Sequence, residues 1–218
     1  MRLHLDPGTS TLRLDDAGFA ALVDATSGYD SGQGPEQAEV DAVLSDPAFA
    51  AAMRAVNQPM VRVRVDVAGR ARTQTHLAWV DLDTAALLLT VHDDELQLLA
   101  TAPQHLAAAV ARVVRLGPRK VGEREPVAVE ADLLEDLFHA DDLRRLSAMT
   151  LVGADLAWTL AVGWPGGERL MSVVDGPTGL HLVEPADEHW QLTPVTATLL
   201  WRRLTTLLPD DDEAAVGA

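Results

Sequence analysis

Two stretches of the sequence place histidine beside carboxylates, the ligand types that bind divalent cations. They are HDDE at residues 92–95 and EPADEHW at residues 184–190. Neither stretch has the glycine of a calcium-binding loop or a paired histidine spacing, and both are predicted to lie in turns. The pattern favours solvated acidic loops. A metal- or small-ligand-dependent enzyme that uses these loops, with His181 or His189 as a ligand, stays open as an alternative.

Other catalytic arrangements have less support in the sequence. Cysteine is absent, which excludes thiolate nucleophiles and cysteine-ligated metals. None of the serines has glycine at both flanking positions of the strained turn that serine hydrolases use. The glycine-rich stretches SGYDSGQGPE and GWPGGERL match neither the dinucleotide fingerprint nor the phosphate-binding loop. The sequence therefore predicts a protein without catalytic residues, metal or cofactor.

The charge balance limits the class of partner. Seventeen basic and thirty-three acidic side chains give a formal net charge of −16. Such a field repels phosphate backbones, so nucleic-acid binding is not expected. The amino-terminal residues lack the apolar segment of a signal peptide, and no apolar run approaches the roughly 20 residues of a membrane helix. We expect a soluble, cytoplasmic protein without membrane insertion.

The hydrophobic period divides the chain into helices and strands. A capped helix in LDDAGFAALVDAT and two proline-started helices, Pro35–Leu44 and Pro47–Val56, form a small helical N-terminal region. Valines then alternate with charged residues from Val61 to Val67, which predicts a half-buried strand. Further strands at Thr73–Val80, Ala85–Val91 and Leu96–Ala100 complete a four-stranded meander, which leads to a helix beginning near Pro103.

The second half repeats this order. Strands are predicted at Leu156–Trp164, at Leu170–Val174 and in LHLVEP, followed by a helix beginning near Pro194. PQHLAAAVARVVRLGP and PVTATLLWRRLTTLLP align at an offset of 91 residues, with proline at both ends of each copy. This internal repeat predicts an α+β fold of two pseudo-duplicated antiparallel β meanders, each backed by a helix.

The predicted domain organisation follows from the repeat. Residues 1–209 are expected to form a single pseudo-two-fold α+β domain. Its first half covers about residues 60–118, a connector with a helical segment covers 119–149, and the second half covers about 150–209. The acidic residues 210–218 are predicted to be a disordered tail, because blocks of like charge resist compaction.

The five tryptophans are candidates for binding. Trp158 and Trp164 share the apolar face of one predicted strand, and Trp79 has a similar setting, so all three are expected in the core. Trp190 is predicted in a polar loop and Trp201 on the last helix. Because partly exposed aromatic side chains are enriched at protein interfaces, Trp190 and Trp201 are candidate partner contacts, although packing at the edge of the core is an alternative for both.

Three stretches resemble the EspG family, the cytosolic chaperones of PE–PPE substrates in mycobacterial and related actinobacterial type VII (ESX) secretion systems. They are LSDPAFAAAMRAVNQPMVRVRVDVAG, TAPQHLAAAVARVVRLGPR and VVDGPTGLHLVEPADEHWQLTPVTATLLWRRLTTLLP. The resemblance covers most of residues 10–209. It implies substrate contact through a loop between early strands of the first half, which here would be the short segment Val80, Asp81, Leu82, Asp83 and Thr84.

The leading hypothesis is a non-enzymatic chaperone or adaptor that shields an apolar helical surface of a PE/PPE- or WXG-like secretion substrate. The groove of such a protein gives affinity through apolar anchors, while its charged surface gives partner choice. The metal- or ligand-dependent enzyme remains one alternative. A self-associating structural domain, which forms a homodimer through an edge strand, is another.

Overall fold

The strands of the two predicted meanders join side by side in one antiparallel sheet. The computed structural model describes residues 1–6, 11–28, 35–92, 94–119, 125–187, 189–209 and 213. Within them, eleven strands follow the order β1-β2-β6-β5-β4-β3-β8-β9-β10-β11-β7, and seven α-helices pack on the two faces. The predicted α+β class is confirmed.

The first meander matches its prediction closely. Its strands are β3 (Val61–Gly69), β4 (Thr73–Val80), β5 (Ala85–His92) and β6 (Glu95–Thr101). A short 3₁₀ turn at Pro103–His105 then leads into helix α4 (Leu106–Val113). The valines of β3 are buried and its two arginines are exposed, as the alternation predicts.

The second meander contains one strand more than predicted. It consists of β8 (Leu156–Trp164), β9 (Gly167–Gly176), β10 (Gly179–Ala186) and β11 (His189–Val195), followed by helix α7 (Ala197–Thr205). Pro194 lies in β11, so the helix does not begin there. The side chain of Thr196 caps α7 by accepting a hydrogen bond from the backbone N–H of Leu199 at 3.1 Å.

The two meanders meet at β3 and β8. These strands pair over their length, with Val65 opposite Leu160. Helices α4 and α7 contact each other on one face of the sheet, which we call the helix-pair face. Under them lies the largest apolar core, which includes the valines of β3, fully buried Trp158, and Leu200 of α7. The predicted core placement of Trp158 is confirmed.

The opposite face, which we call the split face, is covered in two separate patches. The first patch is the N-terminal region, where β1 (Leu3–Asp6) and β2 (Thr11–Leu14) extend the sheet beyond β6. Helices α1 (Asp16–Thr26), α2 (Pro35–Leu44) and α3 (Pro47–Asn57) follow. Fully buried Phe49 and Met53 of α3 pack here with Leu88 and Leu98 of the first meander.

The second patch comes from the connector between the meanders. It contains the edge strand β7 (Val127–Val129), which was not predicted, and helices α5 (Ala131–Asp136) and α6 (Asp142–Val152) in place of one helical segment. Arg145 of α6 is almost fully buried. Its guanidinium donates hydrogen bonds to the carbonyl oxygens of Gly69 at 3.2 Å and His139 at 3.0 Å, which ties α6 to the end of β3.

The carboxyl-terminal end of α7 is held by one arginine. Arg169 of β9 donates hydrogen bonds to the carbonyl oxygens of Thr206, Leu207 and Leu208, each at 3.2 Å, and to the carboxylate of Glu213. The rest of the predicted tail, residues 210–212 and 214–218, lies outside the described residues. Among the described residues, no helix combines the length and the apolar character needed to cross a membrane.

Candidate functional site

A strip of the split face remains uncovered between the two helical patches. We call it the open trough and define it by residues that line it: Arg62, Arg64, Leu77, Trp79, Ala161, Gly163, Glu168, Leu170 and Trp190. Cross-strand pairing places these side chains side by side, because Arg62 lies between Trp79 and Gly163, and Ala161 lies opposite Leu170. The trough therefore crosses both meanders.

Small side chains form the floor of the trough. Thr159, Ala161 and Gly163 of β8 and Ser172 of β9 leave the sheet backbone close to the surface. A Cβ atom added at Gly163 would meet no other atom within 4 Å. A glycine in a strand with open space above it permits the close approach of another backbone.

Aromatic side chains form the walls. On the side of the first meander, Trp79 stacks on Phe19 of α1 with their ring centroids 5.7 Å apart. On the other side, Leu134 and Phe138 of the connector and Trp190 of β11 enclose a groove of about 480 Å³. Leu170 lies in this groove and is 67% exposed. The trough thus carries large apolar surface that nothing in the described part of the chain covers.

The trough has the dimensions of a helix. From Trp79 on β4 to Trp190 on β11 the sheet spans five strand intervals. At about 4.8 Å per interval this is about 24 Å. An α-helix of about 16 residues has that length, since each residue adds about 1.5 Å.

Two neighbouring arginines in this region have different electrostatic settings. Arg64 donates two hydrogen bonds to the carboxylate of Asp66, at 2.8 and 3.0 Å, and Asp66 also accepts one from the hydroxyl of Thr75 at 2.6 Å. The hydrogen bonds to Asp66 raise the pKa of Arg64. Arg62, two residues earlier on the same face, is exposed and makes no ion pair with any described residue.

The segment Val80–Thr84 is a tight turn at one end of the trough. The carboxylate of Asp81 accepts hydrogen bonds from the backbone N–H groups of Asp83 at 2.9 Å and Thr84 at 2.7 Å. Val80 is buried in the main core, whereas Leu82 is 74% exposed. Trp79 directly precedes this segment, so the turn begins next to the trough, while buried Val80 is not available for contact.

The structure does not bring the two candidate tryptophans together. Trp190 lies on strand β11 and not in a loop, and it faces the groove of the trough at 36% exposure. Trp201 lies on α7, on the helix-pair face, and is 40% exposed. Since the sheet separates them, one helical partner cannot contact both.

The histidines of the acidic loops also lie apart. His181 is buried on β10 opposite Pro194, whereas His189 pairs with Ala186 five residues further along the same two strands. His92 ends β5 in the other meander. Among the described residues, no three histidine or acidic side chains are grouped to hold a metal ion. Asp93 and Glu188 of the two acidic loops lie outside the described residues.

Sequence reasoning missed Leu170, Ala161 and Gly163 as site residues. The signal was in β8, where large apolar residues alternate with Ala157, Thr159, Ala161 and Gly163. A solvated strand face usually carries charged residues, as β3 does with its arginines. Small uncharged residues at alternate positions indicate a face that another chain can approach.

Comparison with known proteins identifies a shared fold. The chain is similar to the solved structure of the Mycobacterium tuberculosis type VII secretion system chaperone EspG5 in complex with a PE25–PPE41 dimer. The match has a TM-score of 0.59 and 15% sequence identity, and it covers 92% of this chain and 97% of the matched chain. The predicted resemblance to the EspG fold is confirmed. No protein-family model and no curated protein matches the sequence.

Proposed function

We propose that this protein is a non-enzymatic chaperone or adaptor that binds a helical secretion substrate in its open trough. The observation that carries the proposal is the uncovered strip of small and apolar side chains between the two helical patches of the split face. The shared fold with a type VII secretion chaperone supports this class of function. We further propose that the protein acts in the cytoplasm, as part of a type VII secretion system.

The proposed mechanism is the docking of a helix or a helical tip in a groove. Leu170, Trp79 and Trp190 are the apolar anchors, and the small floor residues let the partner's backbone approach the sheet. The substrate's apolar surface then leaves water together with that of the trough. Binding would keep the substrate from aggregating, while the net charge of −16 keeps the complex soluble.

The turn Val80–Thr84 has a smaller role in this proposal. Its backbone is fixed by the hydrogen bonds to Asp81, so it can present Leu82 without an ordering cost on binding. We propose Leu82 as a contact at the rim of the trough. The other four residues of the turn hold its shape. Trp201 has no contact with a partner that binds in the trough.

A substitution that fills the trough tests the proposal. Gly163→Trp adds a large side chain where the free protein has open space, so the fold should persist while the trough is blocked. Tagged wild-type and Gly163→Trp proteins would be used in parallel to capture partners from lysate of the native host, followed by mass spectrometry. Trp201→Ala is the matched control, since it alters an exposed aromatic on the opposite face.

We expect wild type and Trp201→Ala to retain the same PE/PPE- or WXG-like helical protein, and Gly163→Trp to lose it with an unchanged thermal unfolding midpoint. Binding of the purified partner to wild-type protein by calorimetry then confirms direct contact. Retention of the partner by folded Gly163→Trp would exclude the trough as the docking site. Capture of no helical secretion protein, from cells shown to produce them, would exclude the chaperone function.

Self-association is a second candidate, which one observation favours. Val127 of the edge strand β7 is 53% exposed, and among the described strands β7 has a neighbour on one side only. Unpaired edge strands can pair with a second copy across a two-fold axis. Light scattering of the purified protein tests this. A dimer that Val127→Lys converts to monomer would support edge pairing, whereas a monomeric wild-type protein would exclude it.

A further inference from the structure

We propose that Arg62 selects a partner helix that carries a carboxylate at the point of contact. This inference rests on the proposed docking function of the open trough and specifies the chemistry of the partner. Arg62 lies in the floor of the trough between Trp79 and Gly163, and it is exposed. A guanidinium in this position can reach a docked helix directly.

Arg62 differs from Arg64, two residues further along the same strand, in its ion pairing. Both arginines project from β3 onto the split face, and both are exposed. The guanidinium of Arg64 is engaged by Asp66 in a two-point contact, and Asp66 is in turn engaged by Thr75. Arg62 forms no ion pair among the described residues, although the chain has about twice as many acidic as basic side chains.

A helix docked in the trough would exclude water from the guanidinium of Arg62. A buried cation is stable only when it is paired and hydrogen-bonded, so an apolar helix that covered Arg62 without a carboxylate would bind weakly. A carboxylate can accept two parallel hydrogen bonds from the guanidinium. The missing side chain of Gly163 leaves room for it beside Arg62.

Glu168 limits the position of the partner's acidic group. Gly163 lies between Arg62 on β3 and Glu168 on β9. The Cα atoms of Arg62 and Glu168 are therefore two strand intervals, or about 10 Å, apart. A carboxylate placed toward β9 would meet this like charge. The partner's acidic residue is therefore directed to the room between Arg62 and Gly163, on the side of β3, and away from β9.

Peptide binding tests this selection with a defined probe. Two synthetic amphipathic peptides of about 18 residues share one Leu/Ala face. One peptide carries glutamates on the flank of that face and the other carries glutamines. Their affinities for wild type, Arg62→Gln and Arg202→Gln would be measured by fluorescence anisotropy at about 150 mM salt, where the Debye length is about 8 Å. Arg202→Gln is the matched control, since it removes the same charge from an exposed arginine of α7 on the helix-pair face.

We expect wild type to bind the glutamate peptide at least about tenfold more tightly than the glutamine peptide. This preference should disappear in Arg62→Gln and persist in Arg202→Gln. Equal binding of both peptides to wild type, or a preference that survives in Arg62→Gln, would refute the role of Arg62 while leaving docking in the trough intact. If neither peptide binds to wild type, the result counts against helix docking itself.

Discussion

In the first meander, three helices bury the split-face side chains of β5 and β6, whereas the second meander leaves several of its split-face side chains uncovered. Leu88 and Leu98 of the first meander are under 10% exposed, and Leu170 of the second is 67% exposed. On the helix-pair face, by contrast, α4 and α7 cover both meanders in the same core. The two halves therefore share one arrangement of strands and helix on the helix-pair face. On the split face, the exposed surface of each half depends on which helices pack over it.

The largest expected effect is a loss of stability where α3 packs on the first meander. Phe49→Ala removes a fully buried ring between α3 and the first meander, and it should lower the free energy of unfolding by about 3–5 kcal/mol. Phe138→Ala removes a ring that is partly exposed in the trough, and it should cost less than about 2 kcal/mol. Urea unfolding of both variants measures the difference. Equal losses would show that the two covers are equally packed.

Leu170→Glu tests the uncovered surface of the second meander. Its stability should stay within about 0.5 kcal/mol of wild type, because the side chain is largely exposed. Affinity for the captured helical partner should fall about a hundredfold, since an unpaired carboxylate would be buried beside Glu168. Leu151→Glu on α6 is the control, because Leu151 is 73% exposed outside the trough. Similar losses in calorimetric titrations of both variants would contradict the site.

The two exposed tryptophans provide a smaller contrast between the faces of the sheet. Trp190→Ala should weaken partner binding about tenfold, because it removes an aromatic anchor from the groove. Trp201→Ala should leave the affinity within about twofold, since the sheet lies between it and the trough. Both affinities can be measured by calorimetry with the same purified partner. A larger loss for Trp201 would move the site to the helix-pair face.

The smallest expected effect is a pH dependence that arises in the first meander. Burial lowers the pKa of His76 from its usual 6.5, with a further contribution from Arg72 that Asp66 opposes. The ring nitrogen Nδ1 accepts a hydrogen bond from the backbone N–H of Thr90 at 3.1 Å. As the pH falls below 6.5, the unfolded chain binds this proton before the folded one does, so stability decreases.

Urea unfolding from about pH 7.5 to about pH 5.5 measures this dependence. His76→Gln should show a shallower decrease than wild type, because its amide oxygen can accept the same hydrogen bond and does not titrate in this range. Identical slopes for the two proteins would show that His76 does not contribute. Above pH 7.5 both proteins should have a stability that is independent of this residue.

Local sequence patterns were sufficient for much of the fold. The prolines at 35 and 47 mark the starts of α2 and α3, and the alternation in β3, β4 and β8 gives their bounds to within two residues. Strand β11 was missed because HWQLTPV has no regular alternation and contains a proline. Among the described residues, β7 pairs with residues 190–192 of β11, so Pro194 lies beyond this pairing and its missing N–H breaks no hydrogen bond with β7.

The candidate site was less accessible to sequence reasoning. Trp190 was selected for its type but assigned to the wrong element, and Trp201 and Trp190 turned out to lie on opposite faces. Leu170 and Gly163 line the candidate site because the N-terminal helices and the connector helices pack on separate parts of the sheet and leave a gap. That gap depends on tertiary packing between segments more than 70 residues apart, which single-strand periodicity does not encode.

The pairing of β3 with β8 joins two strands that the ribosome synthesises far apart in time. Leu156 follows Gly69 by 87 residues in the sequence, yet the two lie side by side in the middle of the sheet. During translation the first meander is therefore complete while β3 still has an unpaired edge. Arg62, Arg64 and Asp66 place charges along that strand, which discourages pairing with nascent chains on neighbouring ribosomes. The residues that border the trough in the mature protein would thus protect the unfinished chain from aggregation.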